Sequence, residues 1–161
     1  MDVVMDTNIA STFGKIARFD LLRKLFPNST LFVSRRVEEE LDKAESGKEF
    51  IKKIKKNVKV ISPNKTEENY TEDLLSERSI GKAEAECIAI AKYRNMLLLT
   101  NDKIAVKEAR TAGADVMDLR AVIRELWKEN VLQKEDAEAL ITEIEEKDNI
   151  IFSGKENIFR R

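Results

Sequence analysis

The sequence predicts an α/β fold: a three-layer α/β/α arrangement around a central, mostly parallel sheet of about five strands. Three observations carry that reading. Short apolar runs recur along the chain, and several are continuous rather than alternating, as strands buried on both faces require. Longer segments with a 3.6-residue apolar period separate them, the order expected of a helix-covered parallel sheet. The 161 residues fit one domain whose core needs no disulfide or metal staple.

Taken in order, Val3-Val4-Met5 opens the chain as the first strand, and a helix follows over 8–26 with Phe13, Phe19, Leu22 and Leu25 either packing inward or forming a partner groove. A second strand at 30–33 leads into a helical pattern over 34–57, and a third strand at 58–61 is broken off by Ser62-Pro63-Asn64. Helices are expected at 70–79 and 82–94, with Gly81 at the edge of the latter, then a strand at 96–99 and a helix at 103–112 that Gly113 punctuates. A two-residue strand at 116–117 precedes helices at 119–130 and 134–147 and a short strand at 150–152. Residues 1–130 thus read as the main domain, and 131–161 as a helix and short strand packed on it or extending it.

Composition removes several classes of chemistry. There is no His, which excludes a Ser-His-Asp triad, a Cys-His pair and an imidazole-based zinc site. The single Cys87 lies in the apolar run Cys87-Ile88-Ala89-Ile90-Ala91, where a small buried thiol is expected, and a reducing, cytoplasmic setting follows. No apolar run is long enough to span a membrane, and the opening Met1-Asp2-Val3-Val4 does not read as a basic region followed by an apolar one, so a secreted protein is not expected. A net charge of −1 exerts no global pull on nucleic acid, so any such partner must be read from local charge.

Carboxylates or Lys must then carry any catalysis. Asp6 follows the first strand and Asp102 follows the fourth, at the sheet edge where parallel α/β folds place their sites. Each also suits the mundane role of capping the next helix. Helix phase sorts the others. At about 100° per residue, Glu40 borders the stripe of Val37, Leu41 and Ala44, as either a rim residue or one aimed into a cleft. Glu84 shares the apolar face of Ile88 and Ala91, where an unpaired carboxylate would be costly. Glu86 falls on the opposite face with Lys82, and a solvent-facing i,i+4 pair is expected. Four acids meeting in one cleft repel by about 3 kcal/mol per pair at roughly 5 Å and an effective dielectric of about 20, so they need protons or a cation. Oxygen-only ligands favour Mg²⁺ or Mn²⁺, and the chemistry implied is metal-assisted phosphodiester hydrolysis.

These residues resemble a PIN domain, the nuclease domain of toxins in toxin–antitoxin pairs and of RNA-processing and RNA-decay proteins. Four segments over about residues 1–125 carry the resemblance: Val3-Val4-Met5-Asp6-Thr7-Asn8, Ser34-Arg35-Arg36-Val37-Glu38-Glu39-Glu40-Leu41, the run from Gly81 to Ala91, and Leu97-Leu98-Leu99-Thr100-Asn101-Asp102. The resemblance implies a divalent-metal-dependent ribonuclease whose catalytic and metal-binding acids are Asp6, Glu40, Glu84 and Asp102. Asn8 and Thr100 resemble the polar residues that hold the first and last acids by hydrogen bonds. It also implies RNA as substrate and an antitoxin or RNA-processing protein as partner. The alternative is a catalytically silent RNA-binding or assembly module of the same fold.

Arg35 and Arg36, at the start of the helix that carries Glu40, are candidates for contact with the scissile phosphate. The stretch from Lys48 to Lys59 reads either as an RNA rail through Lys52, Lys53 and Lys56 or as a solvated helix face. Asp118, after the fifth strand, is either a further acid or a helix cap. Trp127 with Leu126, Val131 and Leu132 suits the core or an oligomer contact, such as a homodimer, more than a base-stacking platform, and Phe159-Arg160-Arg161 a tail or an RNA contact. With the four acids set aside, the remainder carries +3.

Overall fold

In the computed structural model, which describes residues 1–44 and 47–160, five strands form one parallel sheet. They are β1 (Val3–Met5), β2 (Leu31–Ser34), β3 (Lys59–Ile61), β4 (Leu97–Leu99) and β5 (Val116–Met117), in the order β3-β2-β1-β4-β5. Central β1 pairs with both neighbours in one register, Val3 opposite Leu31 and Leu97. Val3, Val4 and Met5 are all fully buried although successive side chains point to opposite faces, so both faces of the sheet are covered and the fold is a three-layer α/β/α sandwich.

The helices among the described residues are α1 (Thr7–Ile16), α2 (Phe19–Leu25), α3 (Arg35–Lys43), α4 (Gly47–Lys55), α5 (Lys65–Glu77), α6 (Lys82–Arg94), α7 (Lys103–Thr111), α8 (Leu119–Lys128) and α9 (Lys134–Asp148), with a 3₁₀ turn at Lys155–Phe159. Helix α6 lies across β1, β2 and β4 and is itself flanked by α3, α5 and α7. It is therefore apolar nearly all round, with everything from Ala85 to Ala91 buried. Helix α9 packs on α1 and α8 through Ala137, Leu140, Ile141 and Ile144. None of these helices is long and apolar enough to cross a membrane.

Several boundaries differ from the sequence expectations. The helix read over 8–26 is two helices, because Ala17 adopts the left-handed conformation (φ 56°) and its N–H turns back to Gly14 and Phe13. A glycine usually marks such a stop, and an alanine gives no warning. The pattern over 34–57 divides into α3 and α4, with residues 45 and 46 of that pattern outside the described residues. Helix α5 begins at Lys65 rather than 70, since Asn64 and Glu67 form a reciprocal capping box. Residues 150–152 are not a strand: the Phe152 N–H donates to the Glu145 carboxylate instead of to a sheet neighbour. Phe13, Phe19 and Leu22 are buried, with Leu25 packed against them. Trp127 packs against the core with its ring edge-on to Phe159 at 5.5 Å, and Arg161 is outside the described residues.

Candidate active site

Strand ends and helix starts aim the acids. Asp6 leaves β1 fully buried and caps α1: one carboxylate oxygen accepts the Ile9 N–H at 2.9 Å and the other accepts the Thr100 hydroxyl at 2.5 Å. Asp102, beyond β4, caps α7 in the same way, accepting the Ala105 N–H at 2.8 Å. Thr100, fully buried, links the two, since its oxygen also accepts the Asp102 N–H at 3.2 Å.

Glu84 stands in the first turn of α6, half-buried, with its carboxylate folded back over the helix start. A methyl group at Gly81 would lie 2.2 Å from Glu84 Oε2, so the space the carboxylate occupies exists because residue 81 has no side chain. Glu40 lies on the exposed side of α3 and accepts the Thr7 hydroxyl at 2.5 Å. Thr7 thus supports an acid 33 positions away, a contact that no local pattern signals. The Asn8 side chain makes no hydrogen bond to any of the four acids among the described residues; Asn8 contributes its carbonyl, which accepts the Thr12 hydroxyl.

Electrostatics tie the four together. Burial pushes the Asp6 carboxyl up to about 6, against the lowering effect of its bonds from Thr100 and Ile9, and the nearby Glu84 and Asp102 raise it further. Glu84 is raised as well, first by burial, opposed by its own backbone N–H, then reinforced by Glu40 and Asp102. Each acid is therefore within electrostatic reach of at least one other, and none forms an ion pair among the described residues. No group of three or more His, Cys, Asp or Glu among those residues is drawn close enough to hold a metal ion as it stands. In chemistry the donor set fits a hard divalent cation: oxygens only, mutually repelling, and none ion-paired to a lysine or arginine among the described residues.

The remaining candidates fall elsewhere. Arg36, expected near a scissile phosphate, is turned to Glu86, its Nε 3.2 Å from Oε2. Glu86 itself, expected on a solvent face beside Lys82, is buried, because the flanking helices cover that side of α6 and Arg36 supplies its counter-charge. Arg35 lies 3.8 Å from Glu38, and Lys52 3.5 Å from Glu49. Lys53 and Lys56 line a hollow with Arg23 and Asn57 in which none of the four acids takes part. Asp118 caps α8 through the Ala121 N–H at 2.8 Å.

Sequence reasoning missed two features. Glu67 is fully buried and held by Arg94 at 2.7 Å, an ion pair that fastens α5 to α6. Asp148, at the end of α9, accepts from the Thr12 hydroxyl and lies 2.6 Å from Lys15 on α1. It stands beside Asp102 in a cleft of about 500 Å³ that also takes in Lys15, Asn101 and Lys103. Separations of 136 and 133 residues put both contacts beyond any local signal.

Comparison with known proteins bears on this geometry. A family model described as PIN domain matches residues 2–156. Among solved structures, a chain of VapBC2 from Rickettsia felis, solved bound to a DNA fragment from its promoter, aligns with a TM-score of 0.58 at 19% identity over 73% of this chain and 98% of that one. A chain of VapBC-1 from nontypeable Haemophilus influenzae aligns at 0.57 and 22% identity over the same shares. A PilT N-terminus domain protein from Sulfolobus solfataricus P2 aligns at 0.52 and 20% identity, over 76% of this chain and 90% of its own. A search of curated protein sequences returned no match.

Proposed function

Because this chain belongs to the PIN-domain family, we propose that its acidic cleft is the active site of a divalent-metal-dependent endoribonuclease acting on RNA phosphodiester bonds. The observation that carries the proposal is the quartet Asp6, Glu40, Glu84 and Asp102. Two of its members are raised by burial and by other members of the quartet, and none of the four is ion-paired among the described residues. A domain that only needed helix caps would gain nothing from directing two further glutamates at them.

Asp6, Glu84 and Asp102, with Glu40 at the rim, would hold Mg²⁺ or Mn²⁺. Such an ion supplies an activated water and neutralises charge on the leaving oxygen. Within the protein, Thr100 orients Asp6 by donating to it, and fixes Asp102 by accepting its N–H. Thr7 restrains Glu40 by donating to its carboxylate. Deprotonation of Asp6 near pH 6 converts the site to its cation-binding form, so cleavage should rise through that range. The partner in this reading is an antitoxin-like or RNA-processing protein, the setting is cytoplasmic, and the assembly a homodimer. That no three acids among the described residues stand at chelating distance favours one alternative, a silent module of the same fold that binds RNA without cleaving it.

The test is RNA cleavage by the purified chain with Mg²⁺ or Mn²⁺ and with chelator. Activity should require the ion and vanish in Asp6→Asn and in Asp102→Asn while the circular dichroism spectrum is retained. Cleavage that survives both substitutions overturns the proposal, and salt-sensitive RNA binding without turnover establishes the silent module.

A further inference from the structure

The acid quartet accounts for attack on a phosphodiester but not for how the rest of a strand is held beside it. The lysine-rich helix α4 is poorly placed for that task. Lys52 faces Glu49, Lys55 is 2.6 Å from Glu38, and Lys53 and Lys56 open onto a hollow that none of the four acids lines. Helix α7 differs on each count. It starts directly after Asp102, and Lys103, Lys107 and Arg110 follow at i, i+4 and i+7, on one face spanning about 60°. All three are exposed, and none forms an ion pair or a side-chain hydrogen bond among the described residues. The acid on the same helix, Glu108, is taken up by Arg78 at 3.2 Å.

The hollows around α7 make this face continuous with Asp102, one of the four acids. The cleft that contains Asp102 also contains Asn101 and Lys103. These two residues then line a second hollow of about 400 Å³, where Lys107, Arg110 and Thr111 continue the wall. The acid lining that hollow, Asp118, has its Oδ1 committed to the α8 cap.

We propose that Lys103, Lys107 and Arg110 of α7 bind the phosphates of the RNA strand on one side of the bond to be cut, so that the strand enters or leaves the acidic cleft over α7. This inference rests on the ribonuclease reading for the identity of the strand, while the surface itself stands on charge and placement. Cations without an internal partner lose nothing by engaging phosphate, and each one so engaged releases counterions from the strand.

The test is fluorescence anisotropy of a labelled single-stranded oligoribonucleotide with the full chain in EDTA, across about 50–200 mM NaCl. Three phosphate contacts at about 0.7 each predict that the Lys103→Gln/Lys107→Gln/Arg110→Gln variant lowers the salt slope of binding by about 2. The same variant should lose at least tenfold in affinity, with its thermal midpoint unchanged. The Lys52→Gln/Lys53→Gln/Lys56→Gln variant should keep the wild-type slope. An α7 variant with the wild-type slope overturns the inference, as does an α4 variant that loses as much. Separate measurements with Mg²⁺ distinguish the two readings. Wild type that cleaves RNA while its slope ignores α7 refutes only this surface. Wild type that never cleaves, yet binds RNA through α7, refutes only the nuclease. Slope loss on duplex DNA with none on RNA overturns the assignment of the strand.

Discussion

Replacing Asp6 by Asn should stabilise this protein at neutral pH and destabilise it in acid. The Asp6 carboxyl is fully buried and raised from 3.8 to about 6. Between those values the folded chain keeps a proton that the unfolded chain has released, so stability falls as pH rises through the window. At about 1.4 kcal/mol per unit the penalty saturates near 3 kcal/mol above pH 6. Asn removes that penalty and still accepts the Ile9 N–H, but it presents an amide where Asp6 accepted the Thr100 hydroxyl, a loss of about 1 kcal/mol. The balance is a gain of roughly 2 kcal/mol at pH 7.5, or about 4–8 °C in Tm, and a loss of about 0.5 kcal/mol at pH 4. Urea unfolding followed by circular dichroism in EDTA at both pH values measures it. Saturating Mg²⁺, at about 100 times its Kd, should then stabilise wild type by about 2.7 kcal/mol and leave the variant unmoved, reversing their order. A variant less stable than wild type at pH 7.5 without metal, or an equal difference at the two pH values, refutes the reasoning.

Gly81→Ala is expected to lower metal-dependent cleavage at least tenfold with less than about 1 kcal/mol change in stability, because its methyl group displaces the Glu84 carboxylate while residue 81 itself sits in an ordinary extended conformation (φ −70°, ψ 155°); cleavage rates beside urea midpoints decide this, and a wild-type rate refutes it. Arg94→Gln should cost about 3 kcal/mol at pH 7 by leaving Glu67 buried and uncompensated. Burial alone would raise Glu67, yet the bonds from Arg94 and the Asn64 N–H hold it below its ordinary value, so this stabilisation is present at neutral pH and lost on acidification, and unfolding midpoints of the variant and wild type should converge toward pH 3. Glu86→Gln should cost about 2 kcal/mol by weakening the Arg36 pair that ties α3 to α6, and a variant as stable as wild type in urea would place Glu86 in solvent after all.

How far these residues could be read from the sequence depends on what each needs. The central sheet was legible because β1 is continuous and apolar, and its neighbours follow the same pattern. Glu84 was legible from helix phase, since its half-buried place follows from Ile88 and Ala91 on the same face. The same arithmetic failed for Glu86: a helical wheel assumes one buried side, whereas α6 is enclosed by the sheet and by α3, α5 and α7. The helix break at Ala17 and the contacts of Thr7 with Glu40 and of Asp148 with Lys15 depend on backbone strain or distant packing, which no window of sequence contains.

The acids at the strand ends show why two readings of one residue need not compete. Asp6 and Asp102 each cap a helix, the mundane role, and each uses a single oxygen, Oδ1, to do so. The cap holds the carboxylate by one oxygen and presents the other. For Asp6 that second oxygen is steered by Thr100; for Asp102 it has no hydrogen-bond partner among the described residues. A parallel sheet sends every strand toward the same edge, and the helix that follows each begins there. Capping therefore places carboxylates side by side at that edge whether or not the protein uses them. What capping does not explain is burial that raises Asp6 to about 6 beside Glu84, a glutamate accommodated by a glycine. Stability alone would disfavour that arrangement, and a bound cation would reverse its sign.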